Sequence, residues 1–437
     1  MSLSPLSLSI TNTNKALFLL PVLIFLGYCL AAQTPAPPQQ GVTAITGGTL
    51  YTMSDGVLEN ATIVFENGVI TEIGIDAEVP ASARVIDASG KNIYPGFIHG
   101  RSTLGLTEIS RIQESTDLRE TGDINPNIRA HSAFHPVSEH LPMAAVHGVT
   151  TVVPTTSGSL IAGRLSAMDT DGWTWEQMLL REDIGMAIEW PSMNDVNRYI
   201  ATLDKLDEVI SSARRYKKAR EASASGDAPH HSPDIRLEAL IPVIEGKMPV
   251  FISADELKQI QEAIAWSEKH GLETVLVGGR DMDLLAGQLA EKNIRVMLSG
   301  VISGPHRQWE SYDQAYKIPL KLYQAGVEFC IAGDASAAYA YRIQHHAAAA
   351  VAFGLPYEAA LRALTIDAAR ILGIDDITGS IEVGKRASLV ITEGDPLELW
   401  APKEMVFIGG RQIDMTDKDK RLYLQYMEKH RQKQLAE

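Results

Sequence analysis

Residues 92–109 read Asn-Ile-Tyr-Pro-Gly-Phe-Ile-His-Gly-Arg-Ser-Thr-Leu-Gly-Leu-Thr-Glu-Ile and decide the fold. Pro95 and Gly96 interrupt an apolar run that continues to Ile98, and polar residues follow from His99. A short buried strand that ends in a polar loop is typical of the mouth of an α/β barrel, the end at which such barrels carry their active sites. The stretch therefore predicts the first barrel strand, with candidate site residues directly after it.

The chain between residues 95 and 379 alternates strand and helix patterns, and helical apolar spacing occurs in segments such as 255–270 and 313–324. Short strands that alternate with helices predict a parallel sheet, and eight of them predict an α/β fold of the (β/α)8 TIM-barrel type. The third and fourth of the eight could instead form a surface hairpin. A charged helical stretch at 192–236 is predicted to be an exposed insertion, with its basic run 214–220 as a solvated face. The seven strand candidates after the first are 149–154, 165–168, 185–190, 249–253, 274–278, 295–299 and 327–332.

Both ends of the chain carry short β-strand patterns. Residues 43–94 contain several strands separated by turns, among them the Asn67-Gly68 hairpin signal, and similar strands return in 380–416. Two separate hairpins would each bury too little apolar surface to be stable. We therefore expect one small β-sandwich domain built from both termini, followed by a charged surface helix at 417–437.

Composition and charge describe an ordinary globular protein. The chain of 437 residues is 45% hydrophobic and 21% charged, and its formal net charge is −15. An acidic chain lacks the basic surface that a nucleic-acid partner requires, so we expect a small-molecule ligand and no nucleic acid. A homo-oligomer stays open.

The N-terminus has the layout of a secretory signal peptide over residues 1–32. Lys15 precedes an apolar run that ends in the small residues Ala31 and Ala32, and a proline-rich segment follows. This predicts a secreted or bacterial periplasmic protein with no membrane contact after cleavage. An uncleaved N-terminal anchor and a lipoprotein modified at Cys29 are the alternatives. Without Cys29, only Cys330 remains, which excludes an internal disulfide.

The stretch at residues 95–98 resembles the first barrel strand of the amidohydrolase superfamily, and segments such as 148–154, 172–178 and 351–373 look like its secreted, imidazolonepropionase-like branch. This resemblance implies a TIM-type barrel with a composite β domain. It also implies a metal-dependent hydrolase that acts on carbon–nitrogen bonds other than peptide bonds. Function belongs to the site rather than to the fold, so each family ligand has to be checked in this chain.

Most of the family's metal ligands are replaced. The family reads Asp-x-His-x-His after the first strand, where this chain has His99, Arg101 and Thr103. Ser253 stands where the fifth strand of the family ends in histidine, and the sixth strand ends in glycines where many members carry another. Only Asp334, after the last strand, aligns with a family ligand, and a lone aspartate there could instead cap the next helix at 335–340.

Glu189, His131 and His135 could contribute to a metal site elsewhere or have plain structural roles. Glu189 is the nearest candidate for the bridging ligand of binuclear members, and it could equally be an ordinary loop charge. His131 and His135 have i, i+4 spacing, but no glutamate lies between them as in a metalloprotease helix, so they are expected to be surface or core histidines. We expect no cofactor, with a divalent metal such as zinc at Asp334 as the alternative.

Two functions remain open. The first is an exported amidohydrolase-like hydrolase with a degenerate metal site. In it, Asp334 serves as general base or proton shuttle, Arg101 supplies the positive charge that a metal normally supplies, and Ser253 and His99 add polar groups. The second is a catalytically inactive barrel that serves as a periplasmic binding or assembly scaffold. A pocket in which these four side chains converge would favour the first.

Overall fold

The computed structural model describes residues 34–226 and 232–436, so the predicted signal peptide lies outside the described residues. The strands are β1 (Thr43–Tyr51), β2 (Val57–Glu66), β3 (Val69–Gly74), β4 (Arg84–Asp87), β5 (Asn92–Pro95), β6 (Phe97–Ser102), β7 (Val149–Pro154), β8 (Ile161–Asp169), β9 (Leu179–Glu189), β10 (Val250–Ser253), β11 (Thr274–Gly278), β12 (Arg295–Ser299), β13 (Phe329–Gly333), β14 (Leu389–Thr392), β15 (Lys403–Ile408) and β16 (Arg411–Gln412).

Helices connect most of the barrel strands. The α-helices are α1 (His140–Val146), α2 (Trp175–Met178), α3 (Val196–Ser225), α4 (Ile235–Ala239), α5 (Ile241–Ile244), α6 (Leu257–His270), α7 (Ala286–Glu291), α8 (Gln314–Gln324), α9 (Ile343–Ala352), α10 (Tyr357–Leu364), α11 (Ile366–Leu372) and α12 (Lys418–Ala436). Short 3-10 helices occupy Gln113–Ser115, Ala130–Ala133, Met282–Leu285 and Ala337–Arg342. Among the described residues, no helix is long and apolar enough to cross a bilayer.

Strands β6 to β13 form the barrel wall in chain order, and the predicted fold class is confirmed. Seven of these strands run parallel, whereas β8 is antiparallel to both β7 and β9. The expectation of a wholly parallel sheet is therefore wrong for the third strand, β8, and the expectation of a helix after every strand is wrong for the second, β7. The connection at 155–160 is too short for a parallel crossover, which needs a dozen or more residues, so the chain can only turn back. The hairpin belongs to the wall of the barrel and not to its surface.

The first and last barrel strands meet at their carboxyl ends. The backbone N–H of Thr103, just after β6, donates to the carbonyl of Ala335, just after β13, at 2.7 Å. This bond brings the polar loop that follows β6 directly beside the loop that follows β13. The two ends that carry candidate site residues are therefore neighbours.

An apolar cluster fills the barrel below its mouth. Alternate strand residues such as Phe251, Val277 and Met297 point inward, while the intervening ones pack against the outer helices. Helix α11 adds Leu372 to the inner cluster, and its Arg370 carbonyl accepts a bond from the first residue of β12. This helix therefore closes the amino-terminal end of the barrel and leaves only the carboxyl end accessible.

Strands from both ends of the chain share the second sheet, whose path is β16-β15-β14-β5-β1-β2-β3 with β4 added beside β1. The junction is the antiparallel pairing of β14 with β5, which leads directly into β6. β1 pairs first with β4 and then with β5, and Gly47-Gly48 lies at the change of partner. A Cβ atom on Gly48 would lie 2.6 Å from Ile93 Cδ1, so the strand can bend there only because side chains are absent.

The insertion begins with the 30-residue helix α3. Its basic run forms ion pairs with nearby acids, Arg215 with Glu208 and Lys217 with Glu245. Trp266 Nε1 in α6 donates to Asp207 Oδ1 in α3 at 2.9 Å, which fastens the insertion to the barrel's helical layer. These contacts account for Arg215 and Lys217 without a separate ligand.

Candidate active site

A β-bulge in β6 decides which of the predicted residues face the barrel mouth. His99 is paired with Val152 and Ser102 with Pro154, so three steps along β6 match two steps along β7. The extra residue reverses the side-chain alternation. Arg101 therefore points toward the inside at the mouth, while His99 lies on the outer side of the wall.

Arg101 is a partly buried cation without a counter-charge. Among residues 34–226 and 232–436, it forms no ion pair and no hydrogen bond, so the Arg101–Asp334 pair that would neutralise the mouth does not occur. Its neighbour Thr103 is engaged, because the hydroxyl accepts a bond from Ala337 N at 3.0 Å. A guanidinium keeps its charge at any ordinary pH, so the mouth holds one unneutralised positive group.

His99 is fully buried and is not part of the open mouth, contrary to its predicted place among the polar groups that meet a ligand. Burial lowers the pKa of His99 to about 4, so the ring is neutral. Its Nε2 donates to the carbonyl of Asp334 at 3.1 Å, and its Nδ1 has no partner among the described residues. The ring therefore fixes the backbone at Asp334.

Asp334 is exposed at the end of β13. Its Oδ1 accepts a bond from Ser336 N at 2.9 Å, which closes a turn before the 3-10 helix, while its second oxygen has no described partner. Asp334 thus partly fills the helix-capping role that was the alternative for it, and its second carboxylate oxygen remains available. The nearby His346 ring is neutral because burial lowers its pKa to about 4, and its Nδ1 accepts a bond from Ile302 N at 3.2 Å.

Ser253 and Glu189 form a pair that the sequence did not reveal. They end β10 and β9, and they are register partners, so their backbones lie about 5 Å apart and their side chains share the inner face. Glu189 Oε1 accepts a bond from Gly158 N at 3.1 Å, and the Ser253 hydroxyl has no described partner. Glu189 is therefore a strand-end carboxylate and not the loop charge that was considered.

A cleft of about 210 Å³ opens at the carboxyl ends of β10, β11 and β12. Asp255, Gly279, Arg280 and Ser299 lie at these strand ends, and the loop 300–313 forms the facing wall. A Cβ atom on Gly279 would lie 2.6 Å from the Ser299 carbonyl oxygen. The sequence signal was present as the glycines at 278 and 279, which we interpreted as a lost ligand and not as space.

The donor set at the mouth does not fit the family's zinc chemistry. Zinc sites in hydrolases use histidine and carboxylate ligands around an open position. The inner strand ends offer the carboxylates Glu189 and Asp334, hydroxyl groups and a permanently cationic arginine. In the part of the chain that the structure describes, no group of three or more His, Cys, Asp or Glu side chains is arranged to hold a metal. His131 and His135, the alternative pair of metal ligands, do not face one site: His131 is buried against Ser166 Oγ, and His135 is exposed.

Comparison with known proteins places this barrel in a family. The model of the amidohydrolase family matches residues 187–416, more than half of the chain. The chain belongs to the amidohydrolase family, a superfamily of hydrolases whose members usually bind metals, and the predicted resemblance is confirmed. The match covers β10 to β13 of the barrel and β14 to β16 of the second sheet, and the residues at the mouth differ from the ligand pattern that the resemblance implies.

Individual relatives agree with this assignment. An imidazolonepropionase of Geobacillus kaustophilus (strain HTA426) is 25% identical over 377 residues, which are 78% of this chain and 85% of the relative. The amidohydrolase tasK of Hapsidospora irregularis is 21% identical over 384 residues, 80% of this chain and 39% of the relative. The crystal structure of an amidohydrolase from Thermotoga maritima MSB8 superimposes with a TM-score of 0.77 at 23% identity, covering 85% of this chain and 99% of that one.

Proposed function

We propose that this protein is an exported hydrolase of carbon–nitrogen bonds other than peptide bonds, and that its mouth works without the histidine metal centre of its relatives. One observation carries the proposal. Arg101 occupies a strand-end position of a family histidine and has no described partner, so its charge is available to a ligand. An isolated, partly buried charge is costly, and such groups cluster where they meet substrates.

The chemistry requires a base for water and a positive group for the oxyanion. Water attacks the carbonyl carbon and gives a proton to the free oxygen of Asp334. Arg101 stabilises the negative charge that develops on the carbonyl oxygen. The carbon–nitrogen bond then breaks, and the proton passes from Asp334 to the departing nitrogen. His99 acts as a positioning residue, because its ring holds the Asp334 backbone in place.

Ser253 and Glu189 would complete the polar lining on the opposite side of the mouth. Their register pairing places a hydroxyl and a carboxylate side by side on the inner face. We assign them to orientation of the substrate, because neither forms a hydrogen bond with Asp334 or Arg101 among the described residues.

The test is hydrolysis by chelator-treated protein whose metal content is measured by elemental analysis. A panel of cyclic amides, ureas and N-acyl amino acids is assayed with the wild type, Arg101→Ala and Arg101→Lys. We expect turnover without metal, a loss of about 10²- to 10³-fold in kcat for Arg101→Ala, and partial recovery for Arg101→Lys. Arg431→Ala, in the exposed helix α12, should leave the rate unchanged.

Two results would overturn this proposal. Turnover that disappears with chelator and returns with zinc would mean that a metal does the work of Arg101. Absence of turnover on the whole panel would favour the second candidate, a catalytically inactive barrel used as a periplasmic binding or assembly scaffold. One observation supports that candidate: half of the Asp334 carboxylate is already bound to its own turn.

Export rests on the pattern of the N-terminal segment 1–32 and is part of the same proposal. When the full-length sequence is expressed in a bacterial host, the product should appear in the periplasmic fraction, and mass spectrometry should find a new N-terminus near residue 33. A full-length protein in the cytosolic fraction would contradict it. The acidic net charge of −15 supports a small-molecule ligand over nucleic acid.

A further inference from the structure

The cleft at the ends of β10, β11 and β12 has the properties of a ligand subsite. Its floor is apolar, with Leu298, Val301 and Ile318, and its polar groups come from the strand ends. A volume of about 210 Å³ is many times the roughly 10–15 Å³ that one water needs on the same measure, so the cleft has room for a small organic ligand. Ser299 lines this cleft and follows Met297 of the inner cluster by two residues, so the cleft borders the inner face of the mouth.

Arg280 presents one unused nitrogen at this cleft. Its Nη1 donates to Glu256 Oε1 at 3.3 Å, and its Nε is buried, out of reach of a ligand, without a partner among the described residues. Nη2 has no described partner, and the side chain is 28% exposed. This nitrogen carries two N–H donors, which can form charge-assisted hydrogen bonds with a carboxylate.

Asp255 supplies the complementary acceptor. Its side chain is exposed, Oδ1 accepts a bond from Gly279 N at 3.1 Å, and the second oxygen has no described partner. A carboxylate beside a guanidinium in one small cleft suits a ligand that has both an acidic group and an adjacent N–H. Such a pair rejects a simple anion, because Asp255 would repel it.

The other charges around the cleft are already satisfied. Glu310 accepts bonds from the backbone N–H of His306 and Arg307, and the Arg307 guanidinium reaches its second oxygen at 2.9 Å. Arg307 also forms two bonds of 2.8 Å with Asp281. These contacts hold the loop 300–313 as a wall, and they leave Arg280 and Asp255 as the groups that can meet a ligand.

We propose that this cleft binds the carboxylate and adjacent N–H of an amino-acid-like ligand, with Arg280 on the carboxylate and Asp255 on the N–H. This deepens and rests on the proposed function, because it names the substrate class as an amide of an amino acid with a free carboxylate. The amide carbonyl then extends past Ser299 toward Arg101. The apolar floor accepts a medium-sized aliphatic side chain.

The test is calorimetric binding of three probes to chelator-treated, full-length protein. The probes are N-acetylleucine, its amide analogue without the carboxylate, and isovalerate, which has a carboxylate but no N–H. We expect N-acetylleucine to bind at least 10-fold more tightly than either analogue. Arg280→Gln should remove the preference for the carboxylate, Asp255→Asn should weaken the preference for the N–H, and Arg431→Gln should change neither. Arg280→Lys, which keeps the charge but loses the planar guanidinium, should retain part of the affinity.

Equal affinity for N-acetylleucine and its amide, unchanged affinity in Arg280→Gln, or no binding of any probe at millimolar concentration would each overturn the inference. Urea denaturation of every variant separates lost binding from lost folding. Selective binding without hydrolysis would keep this inference and refute the hydrolase. Hydrolysis of N-acyl amino acids with a KM that is unchanged in Arg280→Gln would do the reverse.

Discussion

Asp169 offers a pH-dependent test of how the barrel joins the second sheet. Its side chain ends β8 and is 2% exposed, and Oδ2 accepts a bond from Arg386 Nη2 at 2.6 Å. Its other oxygen has no described partner, and neither has Arg386 Nε. Burial therefore outweighs the ion pair, and it raises the pKa of Asp169 to about 6 from its ordinary value of 3.8.

The magnitude and the sign follow from this pKa. A carboxyl whose pKa is higher in the folded chain stabilises the fold in its protonated form, and that contribution is lost as pH rises. The difference between 3.8 and about 6 corresponds to roughly 3 kcal/mol, because one pKa unit equals about 1.4 kcal/mol. Relative to Asp169→Asn, the wild type should therefore lose about 3 kcal/mol of unfolding free energy in total as the pH rises from below 3 to above 7, and about 2 kcal/mol of this loss should fall between pH 4 and pH 6.

Urea denaturation of both proteins at pH 4.5, 5.5 and 7 measures this difference, since titration of all other groups cancels. Asp376→Asn is the matched control: Asp376 is exposed and its pKa is lowered, first by its bond with Arg181, so its small effect should run the opposite way. A difference that stays constant with pH would refute the reasoning. A wild type that gains stability over Asp169→Asn with rising pH would show that the ion pair dominates.

Three further variants probe packing in the barrel and its helices. Arg307→Ala should lower the unfolding free energy by about 2–4 kcal/mol at pH 7, because it leaves buried carboxylates without their partner. Burial raises the pKa of Glu310, but bonds from the backbone and from Arg307 outweigh burial, so the pKa is lowered overall and the cost of the variant should shrink at low pH. A urea midpoint that is unchanged at pH 7 would contradict the predicted loss of stability. Gly96→Ala should cost about 2–4 kcal/mol, because its Cβ would lie 2.0 Å from Thr150 Oγ1. Gly287→Ala, in helix α7 with open space around the new Cβ, should instead stabilise the fold by about 1 kcal/mol. A thermal melt in which Gly96→Ala and Gly287→Ala shift the Tm in the same direction would refute this distinction.

The fold was predictable in the segments where the pattern of apolar residues reflects burial. The eight apolar runs became the eight strands of the barrel, because strands with two buried faces are nearly continuously hydrophobic. The direction of β8 was not predictable from apolar periodicity, which is the same for a strand read either way. The short connection at 155–160 carried that information, because connection length limits how a chain can return.

The candidate site was predictable only in part. Strand ends located Arg101, Ser253 and Asp334, since parallel strands bring their carboxyl ends to one side of a barrel. His99 was placed wrongly, because Ile98 faces the inner cluster and ordinary alternation turns His99 outward. The bulge that follows His99 brings Arg101 inward; it depends on pairing with β7 and leaves no mark on the sequence of β6. The pairing of Glu189 with Ser253 depends on register in the same way.

The replacement of the family ligands that we propose is compatible with a retained fold, because the mouth contributes little to packing. The inner cluster lies below the strand ends, and Arg101, Ser253 and Asp334 are all at least partly exposed. Substitution at these positions therefore leaves the core intact, and a TM-score of 0.77 to an amidohydrolase reports the barrel and not its chemistry. The same packing argument supports the proposed role of Arg101. The fold gives no structural reason for an uncompensated, partly buried charge at this strand end, so the charge is best explained by a ligand.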